Sequence, residues 1–454
     1  MKQEMKQEMK QEMKHEMKQE MKQEMKHEMK QEMKHEMKHE MKHEMNNEKK
    51  YKMKNGNVND MKDGKKISMG LILLFAISCG LIVANLYYAQ PLVGPISADT
   101  GIKASTAGFI VTLTQLGYAA GLLFLVPLSD LLENKSLIIA VLIIAILGLI
   151  NASLAQNSYI FLGATVLIGL GSAAAQILVP LAAYLAPAQQ RGQIVGNVMS
   201  GLLLGIMLAR PVSSLITGIW NWHVVFFLSA FIMVIVTILL FFLLPKRKPT
   251  PKDTYPVIIK SLWQLYKTTP VLRRRSLYQA ALFGSFSLFW TVVPLYLAQH
   301  FHFSQKEIAV FGFAGVAGAV AAPIAGRLAD KGWTKKLTGF ALLLASMAYA
   351  LTHVLQNSGR ASVIIFCIAA ILLDMAVSGN LVLGQQAVYA LGDEIRGRVN
   401  GVFMAVFFLG GALGSSLGGW SYAYGEWRAA SFIGFSLPIL AFLYYLTERK
   451  IKLD

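Results

Sequence analysis

The chain has 454 residues, of which 54% are hydrophobic and 15% charged, whereas a soluble protein of this length carries about 25% charged residues. Its net charge of +17 is of the size found in nucleic-acid-binding proteins, but outside the N-terminal tail the basic residues lie in short connectors between apolar runs. Composition therefore excludes an ordinary soluble domain and argues against a nucleic-acid partner. It predicts an all-α membrane protein.

The N-terminal tail is a tandem repeat. Residues 1–44 contain eleven copies of Met-Lys-Gln/His-Glu. A period of four places like charges at i,i+4 on a helix and gives no fixed apolar face. We therefore predict that residues 1–66 form a disordered, low-complexity tail. The tail lacks the continuous apolar core of a signal peptide. Because Met61 and Met69 follow the repeats and could each start translation, whether the repeats are translated stays open.

The rest of the chain contains apolar runs long enough to cross a bilayer, which takes about 20 residues. In chain order these runs are 67–98, 104–129, 136–190, 192–245, 276–305, 308–326, 337–359, 361–392, 399–425 and 429–447. The runs 136–190 and 192–245 are each long enough for two spans, with polar breaks around Asn157 and Asn221. The sum is twelve transmembrane helices.

The distribution of basic residues predicts the orientation. With the N-terminus inside, the cytoplasmic connectors and the C-terminus hold twenty Lys and Arg, and the outer loops hold four. The positive-inside rule then places both termini in the cytoplasm of a multi-pass inner-membrane protein.

The spans divide into two groups of six. We predict one six-helix half over 67–245, a cytoplasmic linker with a short interfacial helix over 246–275, a second half over 276–447 and a cytoplasmic tail over 448–454. At an offset of 205 residues, Arg191 matches Arg396 and Gly205 matches Gly410. Such internal repeats are typical of transporters.

These features resemble the major facilitator superfamily. Its motif G-x-x-x-D-[RK]-x-G-[RK]-[RK] matches the loop from Gly326 to Lys336 well and the loop at Asp130 weakly. The strings 85–92, 201–210 and 408–415 resemble its branch of arabinose-efflux-like permeases and drug/proton antiporters. Two positions depart from that branch: Thr165 stands where many antiporters carry Arg, and the fifth span lacks their Gly-Pro motif.

The resemblance implies a fold of two pseudo-symmetric six-helix halves and transport by alternating access. It also implies cytoplasmic gating residues that stabilise the outward-open state through ion pairs. At the matching positions these are Asp130, Gly326, Asp330, Lys331, Arg191 and Arg396.

Two charges interrupt the apolar runs and are the first candidates for coupling. Asp374 lies near the middle of the tenth span and Arg210 in the outer half of the fifth. Intramembrane ionisable residues usually mark ion or substrate pathways. We expect Asp374 to carry a proton or to balance a substrate charge, with Arg210 as its partner or as an anion site. A fixed ion pair that only locks helices is the alternative.

Softer polar and aromatic positions on the predicted inner faces are candidates for the substrate cavity. They are Asn85, Tyr88, Gln115, Gln176, Trp290, Ser378 and Gln385. Each of them can instead be a packing residue or an interhelical hydrogen bond.

The sequence predicts a secondary transporter of a small organic molecule, exporting it in exchange for protons, and a monomer. A uniporter or proton symporter for a metabolite or sugar is the alternative, and a non-transporting sensor a distant third. Catalytic, nucleotide-binding and metal-ligand motifs are not found, so we predict neither an enzyme nor a cofactor. The two cysteines, Cys79 and Cys367, lie in apolar runs and suggest no disulfide.

Overall fold

The computed structural model describes residues 68–187, 190–250, 253–318, 320–354, 359–392 and 395–448. In these ranges all regular secondary structure is helical. The predicted repeat tail and residues 449–454 lie outside the described residues. Two connector sequences that we predicted to break the apolar runs do so for a local reason. Asn157 and Asn221 each accept a hydrogen bond from the backbone three residues on, so each caps the next helix.

The first half of the bundle comprises eight helices. They are α1 (Met69–Ala84), α2 (Val93–Thr100), α3 (Phe109–Ala120), α4 (Asn134–Ser153), α5 (Ser158–Ser172), α6 (Ala174–Leu185), α7 (Arg191–Ile219) and α8 (Trp222–Leu243). Between α1 and α2 the chain turns and forms a short 3-10 helix, Gln90–Leu92. After α3 the same span continues as a π-helical and a 3-10 segment to Asp130.

The linker and the second half supply eight more. They are α9 (Tyr255–Thr268), α10 (Pro270–His300), α11 (Gln305–Gly312), α12 (Ala314–Gly318), α13 (Ala321–Asp330), α14 (Thr334–Leu351), α15 (Arg360–Tyr389) and α16 (Arg396–Leu446). Helix α9 lies in the predicted linker. Helix α10 begins six residues before the predicted start of the second half, because the basic segment 273–275 belongs to the helix.

The span count agrees with the predicted twelve. In the part of the chain that is described, nine helices are long and apolar enough to cross a membrane. One of them, α16, has 51 residues and non-helical backbone at Gly425 and Glu426, so it forms two spans. The short apolar helix α1 and the 18-residue α14 bring the number to twelve.

Glycines fix the helix pairs within each half. In the first half, a methyl group on Gly201 would overlap the carbonyl of Ala76, and one on Gly205 would overlap the carbonyl of Gly80. Small residues four apart let α1 and α7 approach backbone to backbone, which is how helices associate where lipid removes the hydrophobic driving force.

The second half repeats this contact between α10 and α16. There Gly410 meets Ala280 and Gly414 meets Gly284. By packing, Gly205 therefore corresponds to Gly414. The sequence match at an offset of 205 had paired it with Gly410, one helical turn away, because letters alone do not show which carbonyl each glycine faces.

The two halves meet tightly at one end of the bundle. We call the end where α7, α10 and α16 begin the basic end, and the other the opposite end. At the opposite end, α11 packs on α7, and the Ser214 hydroxyl donates to the Gln305 carbonyl over 2.8 Å. Helix α3 packs on α16, with Thr112 Oγ1 2.8 Å from Ser415 Oγ. These four residues mark the opposite-end seal.

Toward the basic end the same helices diverge. Helix α13, which continues the span of α11, packs on α15. A methyl group on Gly192 or Gly196 of α7, or on Gly397 or Gly401 of α16, would meet nothing within 4 Å. The bundle is therefore shut at the opposite end and looser at the basic end.

Candidate functional site

Arg210 lies on α7, directly before Pro211, and its side chain is buried, with 3% exposed. Its Nε donates a hydrogen bond of 2.8 Å to Oε1 of Gln90, which lies in the 3-10 turn after α1. Three aromatic rings surround the guanidinium at 4.4–5.4 Å from their centroids: Trp290, Phe286 and Tyr87. Cation–π contact with these rings stabilises a charge that has left water.

Asp374 lies on α15 and faces Arg210. Its Oδ1 accepts a 2.9 Å hydrogen bond from Nε1 of Trp290, and its Oδ2 lies 3.9 Å from Nη1 of Arg210. The second distance is that of an ion pair but exceeds a hydrogen bond. The carboxylate is thus held by the indole, and the guanidinium balances its charge without binding it directly.

Helix α12 covers this ion pair with glycines. A methyl group on Gly315 would lie 2.6 Å from Oδ2 of Asp374 and 3.0 Å from Cζ2 of Trp290, and one on Gly318 would overlap the Asp374 side chain. Only residues without a Cβ let this helix pass so close. The pair is buried because α12 lies on it.

The site joins the two halves of the bundle. Arg210 and Gln90 belong to the first half, Asp374 and Trp290 to the second. The opposite-end seal begins one turn further along α7, at Ser214. Relative movement of the halves at that end would therefore separate the ion pair.

Two buried nitrogen atoms of the site have no hydrogen-bond partner among the described residues. They are Nη2 of Arg210 and Nε2 of Gln90. Both are donors, and the bond between Nε and Oε1 brings their parent groups together. Both nitrogens are shielded from solvent with the opposite end shut, so a ligand that accepts hydrogen bonds would reach them only when that end opens.

The structure brings together Arg210, Asp374 and Trp290, but three other predicted cavity residues make contacts that hold helices together. Asn85 accepts a 2.5 Å hydrogen bond from Ser229 on α8, Gln176 donates to Tyr118 over 3.1 Å, and Gln115 donates to Ser287 over 2.8 Å. Each bond joins two different spans. Of the three, the Gln115 bond also joins the two halves.

The remaining cavity candidates are half-buried. Tyr88 follows α1, and Ser378 and Gln385 lie on α15. The Gln385 amide donates to Asn400 on α16 over 3.5 Å, some distance along the helix from Asp374. A cavity of about 550 Å³ between α14 and α16, lined by residues such as His353, contains no predicted site residue.

The predicted gating residues lie at the basic end. Asp130, Lys331 and Arg191 are exposed, and Arg396 lies over the Tyr389 ring at 5.6 Å. A methyl group added at Gly326 would lie 3.6 Å from Cγ1 of Val382, an ordinary van der Waals contact.

One gating acid and one contact that we did not predict tie elements together at this end. Asp330 accepts a hydrogen bond from Gln386 on α15. An ion pair of 2.9 Å joins Arg398 of α16 to Asp253, just before the linker helix α9. The linker therefore contacts the basic end of α16 through a pair that charge counting alone did not reveal.

Sequence reasoning missed Gln90, Tyr87, Phe286, Gly315 and Gly318. The first two lie in the string 85–92 on which the family resemblance rested, so a signal was present. The two glycines gave none, since the pattern cannot show which glycine faces a charge. In the described residues, no group of three His, Cys, Asp or Glu is placed to hold a metal ion.

The fold and its paired halves define a polytopic membrane transporter. The family model of the Major Facilitator Superfamily matches residues 70–393. The chain belongs to this superfamily.

Individual relatives agree. The chain is 38% identical over 383 residues to the uncharacterized transporter YgaY of Escherichia coli O157:H7, covering 84% of this chain and 96% of that one. It is 24% identical over 305 residues to a probable sugar efflux transporter of Helicobacter pylori strain G27, covering 64% and 74%. Its fold is similar to a bacterial homolog of the human lysosomal transporter Spinster in an inward-facing, unoccupied conformation, with a TM-score of 0.67, 15% identity and coverage of 84% and 98%.

Proposed function

We propose that this chain is a proton-coupled secondary transporter that exports a small organic molecule by alternating access. The observation that carries the proposal is the buried ion pair of Arg210 and Asp374, which joins the two halves next to the opposite-end seal. A non-transporting role is disfavoured, because membrane proteins keep ionisable groups in their interior mainly for transport or coupling.

Opening the opposite end would separate the pair. Stripping a buried charge of its partner costs about 3–5 kcal/mol. A proton on Asp374 removes the negative charge, so separation then leaves a neutral carboxyl group on the indole of Trp290. Protonation thereby favours the state open at the opposite end, and a ligand shifts a two-state equilibrium only through such a difference between the states.

The basic end would close when the opposite end opens. The proposed gating residues Asp130, Asp330, Lys331, Arg191 and Arg396 lie at that end with opposite charges on different connectors. Their attraction would stabilise the closed basic end, although exposed pairs contribute only about 0–1 kcal/mol each. Several together would offset the loss of the buried pair.

The positive-inside rule supports a basic end that faces the cytoplasm. Both termini would then lie on the cytoplasmic side of a bacterial inner membrane. Export is the direction we propose, supported by the relative named as a sugar efflux transporter. We propose that one chain acts as a monomer, since both walls of the site come from the same chain.

The test is a ligand panel assayed for flux in proteoliposomes, with and without a proton gradient. The native chain should move at least one compound faster with the gradient. Asp374→Asn should bind that compound but lose the response, whereas Glu426→Gln, an exposed acid at the opposite end, should keep it. A gradient response in Asp374→Asn equal to that of the native chain would overturn the proposal.

Proton symport is the second candidate. One observation favours it: the free nitrogens of the site, Nη2 of Arg210 and Nε2 of Gln90, are donors that suit an anion.

A further inference from the structure

We infer that the transported molecule is a monocarboxylic acid, whose carboxylate binds Arg210 and Gln90 while one proton travels with it on Asp374. The inference rests on the coupling through Asp374 proposed above and takes its symport form, since it names the substrate class of the same site and has the proton and the substrate move together.

The hydrogen-bonding inventory selects an anionic acceptor. Arg210 donates through Nε to Gln90 and keeps Nη1 3.9 Å from Asp374. Nη2 of Arg210 and Nε2 of Gln90 have no hydrogen-bond partner among the described residues. Buried donors are rarely left unsatisfied. A carboxylate accepts through two oxygens and fits the planar fork of a guanidinium, so it suits these free donors.

The side chains around the donors indicate which kind of group the ligand carries next to its carboxylate. The rings of Tyr87, Phe286 and Trp290 surround the guanidinium, and each is at most 6% exposed. Such walls favour a flat or apolar group next to the carboxylate over a strongly hydrated one. Among small anions they point to aromatic and short aliphatic acids.

Charge balance then determines whether Asp374 carries a proton when the anion is bound. When the opposite end closes empty, Arg210 and Asp374 neutralise one another. When it closes with an anion on Arg210, a charged Asp374 would leave a buried negative charge in excess. When it closes with a protonated Asp374 and no anion, Arg210 would be buried without a counter-charge.

Only the empty site and the site with both anion and proton close at low cost. Among the described residues, the groups next to Asp374 that carry or can carry charge are Arg210 on α7 and Tyr87 after α1, and neither is a second carboxylic acid that could take the proton. One proton therefore accompanies one carboxylate. The acid can leave the cell with its proton when it accumulates inside.

Binding is tested with benzoate, benzyl alcohol and benzylamine, which share a ring and differ in the group it carries. Thermal unfolding of the purified full chain is measured with each probe, because a ligand of the folded state raises its melting temperature. Benzoate should raise it and the other two should not. If benzylamine or the alcohol stabilises as much as benzoate, or no probe does, the inference is wrong.

Variants locate the benzoate. Gln90→Glu keeps the shape and replaces the free donor by a second carboxylate beside Arg210, so affinity should fall about 10- to 100-fold, the range of one charge-assisted hydrogen bond. Asp374→Asn removes the competing anion and should bind benzoate more tightly. Gln264→Glu, on the exposed face of α9, is the matched control and should bind as the native chain does. Equal affinity in Gln90→Glu and Gln264→Glu would overturn the site.

The stoichiometry is measured in proteoliposomes as proton movement per labelled benzoate. One proton in the same direction is expected. A proton moving in the opposite direction, with benzoate bound, would refute this inference while leaving the proposed coupling through Asp374 intact. Benzoate transport without any proton movement would refute both.

Discussion

At the scale of single residues, Trp290 makes two separate contacts in the site. Its indole nitrogen donates to Asp374, and its ring lies 4.4 Å from the Arg210 guanidinium carbon. The substitution Trp290→Phe separates them, since it removes the N–H and keeps an aromatic face. This variant shows whether transport needs the Asp374 carboxylate held in a fixed position by the indole or needs only a positive charge near it.

We expect Trp290→Phe to reduce gradient-driven flux about tenfold or more, because a buried acceptor loses about 1–3 kcal/mol with its donor. The same loss and the void left by the smaller ring should lower the melting temperature as well, so flux is compared at equal amounts of folded, inserted protein. The matched control is Trp420→Phe, on the half-exposed face of α16. Equal flux in the two variants would show that the hydrogen bond to Asp374 has no part in transport.

The charged members of the site were predictable, and their neighbours were not. Arg210 and Asp374 stand out because hydrocarbon penalises every charge in an apolar run. Gln90 does not, since uncharged amides are common in such runs and a continuous first helix would aim it elsewhere. Helix α1 instead ends at Ala84, and the turn that follows carries Gln90 to Arg210.

At the scale of helices, small residues decide which pairs touch. A methyl group on Gly205 would overlap the carbonyl of Gly80, whereas one on Gly196, nine residues earlier on the same helix, would meet nothing within 4 Å. The two positions have the same residue and the same helix, but opposite surroundings.

We therefore expect Gly205→Ala to destabilise the chain by about 1–3 kcal/mol or more, the cost of overpacking, because backbone cannot move aside like a side chain. Gly196→Ala should be neutral or stabilising by up to about 1 kcal/mol from helix propensity. Thermal unfolding in detergent measures both. Equal stability of the two variants would contradict the packing of α1 on α7.

Helix number was readable from the sequence, and helix interruptions were not. The polar breaks at Asn157 and Asn221 lie between two spans and were predicted, and in the structure each Asn caps the next helix. A break inside one span was not readable. The span from Gln305 to Asp330 reads as one apolar run, but it is divided into α11, α12 and α13. That division places Gly315 and Gly318 against Asp374, a tertiary contact that no local pattern encodes.

At the scale of the whole molecule, the proposed orientation is a prediction from the distribution of basic residues and can be tested by labelling. In a chain carrying Cys79→Ala and Cys367→Ala, a cysteine at Gln264 on α9 should react only with reagents that enter the cytoplasm. A cysteine at Arg360, where α15 begins, should react with impermeant external reagents. Reversed labelling would invert the proposed direction of gating.

Alternating access requires that the two ends open in turn, and the ion pair is proposed to hold the opposite end shut. The most direct measurement places spin labels across that end, at Lys103→Cys and Arg360→Cys in the cysteine-free chain, and reads their distance by double electron–electron resonance. A second pair, Gln193→Cys and Lys336→Cys, reads the basic end. All four positions are exposed.

Asp374→Asn leaves Arg210 without its counter-charge, so the account predicts that the opposite-end distance lengthens relative to the native chain and the basic-end distance shortens. The two changes should occur together, because one rocking movement of the halves produces both. Distance distributions in Asp374→Asn that match the native chain at both ends would contradict the account.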